Sequence, residues 1–271
     1  MTPDLLYQAF AREIQYPDPD IDLARAALQI ARFEYPRLAI EPYLHRLDRM
    51  AEEVRERLPA TRYPLKVIQT INEYLFEELQ FSGNTQDYYD PGNSYLNDVI
   101  DRRTGIPLTL SIVYLEIAKR LDFPMVGVGL PGHFIIRPNF DEVAIFVDPF
   151  HRGEILFEED CQERLSQIYQ QPVKLEAHFL ATVTNHQILV RMLTNLKYIF
   201  LNRQRWEKTI QTIDLLLLLI PNHPIELRDR GLLFYRSGQL DRAKQDLGFY
   251  LALLPDARDA DTIRQLLQEI G

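Results

Sequence analysis

His133 and Asp148 are the two residues whose types and placement could do chemistry together. Between them lies the turn signal Pro138-Asn139-Phe140-Asp141, flanked by the β-like runs 134–137 and 143–147. A regular hairpin centred between Phe140 and Asp141 sets 133 opposite 148 at its open end, with both side chains on one face. A carboxylate bonded to one imidazole nitrogen fixes the tautomer and leaves the other nitrogen as a base. Such a pair supplies two members of a nucleophilic triad. The third would be a thiol or hydroxyl, best placed at a helix start, where the dipole favours a thiolate. Three readings are open: a polar tie between two strands, a binding site for a peptide or small ligand, or a general base acting on water.

The candidates for a third member are few. A helix is expected over 107–121, with Pro107 in its first turn and apolar side chains nearly all round, which makes it a buried helix. Thr109 and Ser111 lie in its first turn or so, and Ser111 could face His133; hydroxyls in helices also commonly bond backbone carbonyls. Cys161 comes early in a helix expected over 158–169, behind Glu158, Glu159 and Asp160. Neighbouring acids raise a thiol pKa and disfavour the thiolate. The polar stretch 84–97 carries Tyr88, Tyr89, Asn93 and Ser94, either as one wall of a groove or as a loop capping the buried helix. Arg103, beside Arg102, could meet an anionic group, with Asp98 and Asp101 as the competing ion-pair partners. Gly129 to Gly132 offers a flexible approach to His133. His151 follows Asp148 by three residues, but no further ligands complete a metal set, and no cofactor is expected.

Helices that must hold these residues are expected over 4–15, from Asp20 or Asp22 to about 33, over 40–58 and over 64–79. Short strands follow at 125–128, 134–137, 143–147 and 154–157, and helical periodicity resumes from 174. Residues 1–80 are thus an N-terminal helical part of the core, 81–175 a helix-plus-sheet core, and 184–271 a separate helical module. That module is repetitive. Pro221 and Pro255 each close a helical hairpin, and Gly231, Phe234, Gly238, Ala243 and Pro255 take the small, aromatic and breaker positions of a tetratricopeptide unit over about 190–223 and 224–257. In the first unit Phe200, Trp206 and Pro221 fit, while Lys197 and Thr209 replace the small residues. A terminal helix over 257–270 covers the open end.

Composition narrows the function. Over 271 residues the chain is 46% hydrophobic and 25% charged, as globular proteins are, and its formal net charge of −9 argues against a nucleic-acid binder. Its longest apolar run, Leu215–Ile220, is too short to span a bilayer. One cysteine rules out an intramolecular disulfide, and the N-terminus lacks a secretory pattern, so a cytoplasmic protein is expected.

From Gly105 to Asp148 the chain resembles the transglutaminase-like superfamily, to which papain-like enzymes are structurally related. Asp122-Phe123-Pro124, Gly132-His133 and Val147-Asp148-Pro149 carry the resemblance. It sets the family's glycine–any–cysteine on Gly105-Ile106-Pro107, so the nucleophile position is Pro107. Asn93-Ser94-Tyr95-Leu96, Arg102 to Pro107, Pro131-Gly132-His133-Phe134 and Arg191 to Lys197 are similar to the bacterial SirB-type family, which joins a transglutaminase-like domain to tetratricopeptide repeats. The resemblance covers roughly 30–270. It implies an α+β protein with a papain-like core and no established reaction. A catalytically degenerate core is expected, with a protein or peptide partner held through the core groove and the repeats. The alternative is an amide hydrolase or acyl transferase that uses His133 and Asp148 with a non-standard nucleophile.

Overall fold

A computed structural model describes residues 3–61, 63–140 and 145–270. The chain forms two compact units, 1–192 and 193–271, and the division falls within a helix.

The first unit opens with four helices, α1 (Pro3–Glu13), α2 (Leu23–Ala31), α3 (Glu41–Arg57) and α4 (Pro64–Asn72), the last continuing as a π-helical stretch over Glu73–Glu78. Asp22 caps α2 by accepting the Arg25 N–H at 2.9 Å. Where the polar composition of 81–97 predicts loop alone, the chain makes a two-residue strand β1 (Ser82–Gly83), a 3-10 turn at Pro91–Ser94 and then α5 (Leu96–Arg102). Next, β2 (Thr104–Gly105) pairs parallel with β1 and leads into α6 (Pro107–Arg120). Leu108 to Ala118 are all buried, as expected of a helix apolar on every side.

The strands β3 (Met125–Val128), β4 (Ile135–Pro138), β5 (Phe146–Asp148) and β6 (Glu154–Leu156) follow, then α7 (Glu158–Tyr169) and β7 (Thr182–Val183). They form one antiparallel sheet in the order β6-β5-β4-β3-β7, and α6 packs on β3 and β4. The expected strand over 143–147 and the turn residue Asp141 fall partly outside the described residues. The register differs from that of the regular hairpin. Ile136 lies opposite Val147, a shift of two residues, so His133 and Asp148 are not a cross-strand pair.

From the first unit α8 (Asn185–Asn202) passes into the second, which continues with α9 (Trp206–Leu219), α10 (Pro224–Arg236), α11 (Leu240–Leu253) and α12 (Ala260–Ile270). The repeat residues act as their types require. A Cβ at Gly231 would come within 2.7 Å of Leu247, so the glycine permits the close approach of α10 and α11. Gly238 turns the chain at φ +75°, and Phe234 and Ala243 are buried. Lys197, at the position of a small residue, is buried against Glu226 at 2.8 Å and Asp229 at 2.6 Å. Thr209 turns its hydroxyl back onto the Arg205 carbonyl. Ile263 of α12 packs on Leu247 and Tyr250. No helix among the described residues is long and apolar enough to cross a membrane.

Candidate functional site

Asp148 ends β5 and enters a 3-10 turn, Pro149–His151. In such a turn residues three apart stack on one side, which folds His151 back over Asp148. The carboxylate is fully buried and takes four donors. Oδ1 accepts the N–H groups of Phe150 at 3.1 Å and His151 at 3.3 Å. Oδ2 accepts from His133 Nε2 at 2.7 Å and from His151 Nδ1 at 2.8 Å. Burial alone would push Asp148 up; the two imidazoles outweigh it and hold the carboxyl well below the usual carboxylate range.

His133 reaches Asp148 from a tight turn, not from a strand. Its N–H bonds the Leu130 carbonyl at 2.9 Å, and Gly132 supplies φ +74°. A Cβ at Gly132 would lie 2.8 Å from Ile168. Residues 130–133 therefore form a hydrogen-bonded turn that requires glycine at 132. With Nε2 donating to Asp148, Nδ1 is the acceptor nitrogen of the neutral imidazole. Among the described residues it has no protein partner, and it is not sealed from solvent.

The donor atoms of His133, Asp148 and His151 lie within 4.8 Å of one another, a grouping that sequence spacing alone did not reveal. The hydrogen bonds assign protons to this cluster. Arg164 Nη1 stands 3.0 Å from His151 Nε2 and can only donate, so His151 carries its proton on Nδ1, toward Asp148. A cation held between the three groups would have to displace that proton and the guanidinium, whose Nε is 3.8 Å from Asp148 and whose Nη2 bonds Glu154.

None of the proposed nucleophiles completes a triad. Pro107 is the first residue of α6. Thr109 Oγ1 accepts the Ile106 N–H at 3.2 Å and donates to the Asn93 carbonyl at 2.7 Å, which makes it a cap. Ser111 is fully buried and its Oγ makes no hydrogen bond, so it is not a partner of His133. Cys161 is buried among Val128, Ile135, Phe146 and Leu156, and burial together with Asp160, Asp148 and Glu158 pushes its thiol up to about 12.

The Tyr88 loop is linked to His133 through the Phe150 ring. Asn93 is buried and pins the loop by donating to the carbonyls of Asp87 at 2.7 Å and Tyr88 at 3.2 Å, while accepting from Asn84. Tyr89 and Tyr88 are exposed, edge to face at 5.3 Å. Tyr88 meets Phe150 at 6.1 Å, and Phe150 meets His133 at 6.1 Å. Phe150 closes this row from behind, where a Cβ at Gly83 would lie 2.5 Å from its ring. Ser94 is buried, with no bond from its hydroxyl. Arg103 is no part of the row: it ends α5 at φ +56° and donates to the Leu79 carbonyl at 3.0 Å. The Arg102 ion pairs run to Asp90 and Asp98, whereas Asp101 is taken by Tyr43 and Arg46.

Two site residues are not legible from sequence alone. His151 is visible there, but its return to Asp148 depends on the 3-10 turn. Arg191, on α8, donates to the His133 carbonyl at 2.7 Å across a gap of 58 residues, for which sequence carries no local signal.

A helix-started core with a His–Asp dyad at the sheet end, followed along the chain by a hairpin repeat, defines a class of protein, and comparison with known proteins agrees. The chain belongs to the transglutaminase-like superfamily, whose profile matches residues 41–194, and a tetratricopeptide repeat profile matches 196–268. This is the domain pairing of the SirB-type family. The chain is 38% identical over 258 residues to a UPF0162 protein of Xylella fastidiosa (strain 9a5c), covering 94% of this chain and 92% of the relative. A UPF0162 protein of Vibrio cholerae is 28% identical over 251 residues, 91% of this chain and 93% of the relative. F-box only protein 21 of Homo sapiens is 30% identical over 186 residues, 64% of this chain and 28% of that protein. No solved structure matches the chain.

Proposed function

We propose that this protein is a catalytically degenerate transglutaminase-like protein that works by binding. Its core groove takes a peptide or small ligand, and its repeats hold a protein partner, in the cytoplasm. One observation carries the reading: His133 keeps the orientation of a catalytic base, yet among the described residues no thiol or hydroxyl is hydrogen-bonded to it. Pro107 occupies the helix start where the nucleophile would stand. The exposed rings of Tyr88 and Tyr89 supply a wall for a peptide, since aromatic side chains offer large contact area with few rotatable bonds.

The alternative, an amide hydrolase or acyl transferase with a non-standard nucleophile, requires Ser111, Thr109 or Cys161 to leave the positions described above. The test is intact-mass measurement and peptide mapping after treatment with iodoacetamide and a fluorophosphonate, wild type beside His133→Ala. The expected result is no adduct that depends on His133, and a Cys161 inert until the protein is unfolded. Labelling of any of the three residues that vanishes in His133→Ala would replace binding with catalysis.

A further inference from the structure

Arg191 is a half-buried cation without a counter-ion among the described residues. Its Nη2 donates to the carbonyls of His133 at 2.7 Å and Leu130 at 3.4 Å, and its guanidinium lies over the Phe134 ring at 5.4 Å. Burial holds its pKa below the ordinary arginine value, and the group opposing that shift is the Tyr88 phenol, not a carboxylate. Several cations drawn below the surface are neutralised: Arg120 by Glu116 and Asp48, Arg164 by Glu154, Lys197 by Glu226 and Asp229, Arg230 by Asp214 and Asp246. Arg137 is not among them, but its unbonded Nε is sealed from solvent, unlike the free nitrogens of Arg191. Desolvating a charge without pairing it is unfavourable, and a chain of net charge −9 does not lack carboxylates to pair it with. Arg191 Nε and Nη1 bond no described protein group and are not sealed in. Gly129 lines that side, where a Cβ would stand 3.4 Å from Nη1, at ordinary contact distance.

We propose that Arg191 is an anion-recognition residue beside the His133 turn and receives one carboxylate of a peptide-like ligand; this rests on the binding reading above. Nη2, the nitrogen shared by both bidentate edges of the guanidinium, is taken by the two backbone carbonyls, so a carboxylate is met by a single charge-assisted hydrogen bond from Nη1 or Nε. A single charge suits a monoanion. A phosphate dianion calls for a second free cation, and Arg164, the other guanidinium at the dyad, is engaged by Glu154, His151 and Asp148. The Tyr88 phenol, a hydrogen-bond donor at neutral pH, is near enough for the Arg191 charge to oppose the upward pull of its partial burial.

The test titrates the full chain with N-acetylglycine and, separately, with N-acetylglycinamide, following the Arg191 Nε–H and His133 ring signals by NMR. The acid is expected to shift both saturably and to bind about tenfold or more tightly than the amide, the effect of a charge-assisted hydrogen bond. Arg191→Gln, checked for an unchanged fold by its remaining amide signals, is expected to abolish the difference, and Arg191→Lys to restore part of it. Equal binding of acid and amide, or no response of Arg191 to the acid up to its solubility limit, overturns the assignment. The binding reading itself fails elsewhere, on a His133-dependent covalent adduct, so the two failures are separate.

Discussion

In the repeat unit, charges drawn inside meet opposite charges: Lys197 lies between Glu226 and Asp229, and Arg230 bridges Asp214 and Asp246 at 2.7 Å each. In the core unit the polar cluster around Asp148 is satisfied on one side and open on the other. Asp148 takes four donors, while His133 Nδ1 and two nitrogens of Arg191 have no partner among the described residues. Both clusters lie largely below the surface, so burial of polar groups does not mark a site. Unfilled hydrogen-bonding capacity that solvent can reach does, and it separates His133 Nδ1 and Arg191 from the sealed, unbonded hydroxyls of Ser94 and Ser111.

The sharpest way to break this comparison is to delete one cation from each cluster. Lys197→Ala strands Glu226, a buried carboxylate, and should destabilise the protein by about 3 kcal/mol. Arg191→Met removes a charge with no counter-ion among the described residues and should cost about 1 kcal/mol or less, the lost bond to His133 being offset by relief of desolvation. Urea unfolding of both variants decides it. Equal losses would mean that Arg191 is as structural as Lys197.

Acid titration probes the satisfied side of the core cluster. Asp148 has a lower pKa folded than unfolded, so its contribution is complete above the unfolded value of about 4 and is lost as pH falls toward the folded value. Asp148→Asn should lower neutral-pH stability by about 2 kcal/mol, a charge-assisted bond's worth, and should flatten the decline below pH ~4. A decline as steep in the variant as in wild type would place the acid-sensitive groups elsewhere.

The dyad is legible in the sequence by residue type, though the hairpin geometry that suggests it does not hold. His133 meets Asp148 because a glycine turn and a strand end converge, not because a ladder pairs them. The helix α6 is legible because its apolar side chains run all round, and α10 and α11 because Gly231 and Ala243 have no other use so close together. The helix α5 is hidden: it is seven residues long and follows a stretch rich in Asn, Asp and Gly, whose local chemistry reads as loop. The places of His151 and Arg191 are tertiary facts. The first needs the 3-10 turn after Asp148, and the second needs α8 beside the His133 turn.

On the binding reading, a missing nucleophile, not a lost dyad, separates this core from an acyl-transfer enzyme. Pro107→Cys tests that most directly, by restoring a thiol at the first residue of α6 and measuring its alkylation rate by iodoacetamide against pH. The expected result is a thiolate formed well below the usual cysteine pKa of about 8.5, an effect lost when His133→Ala is added. An introduced thiol that titrates normally and ignores His133 would contradict it.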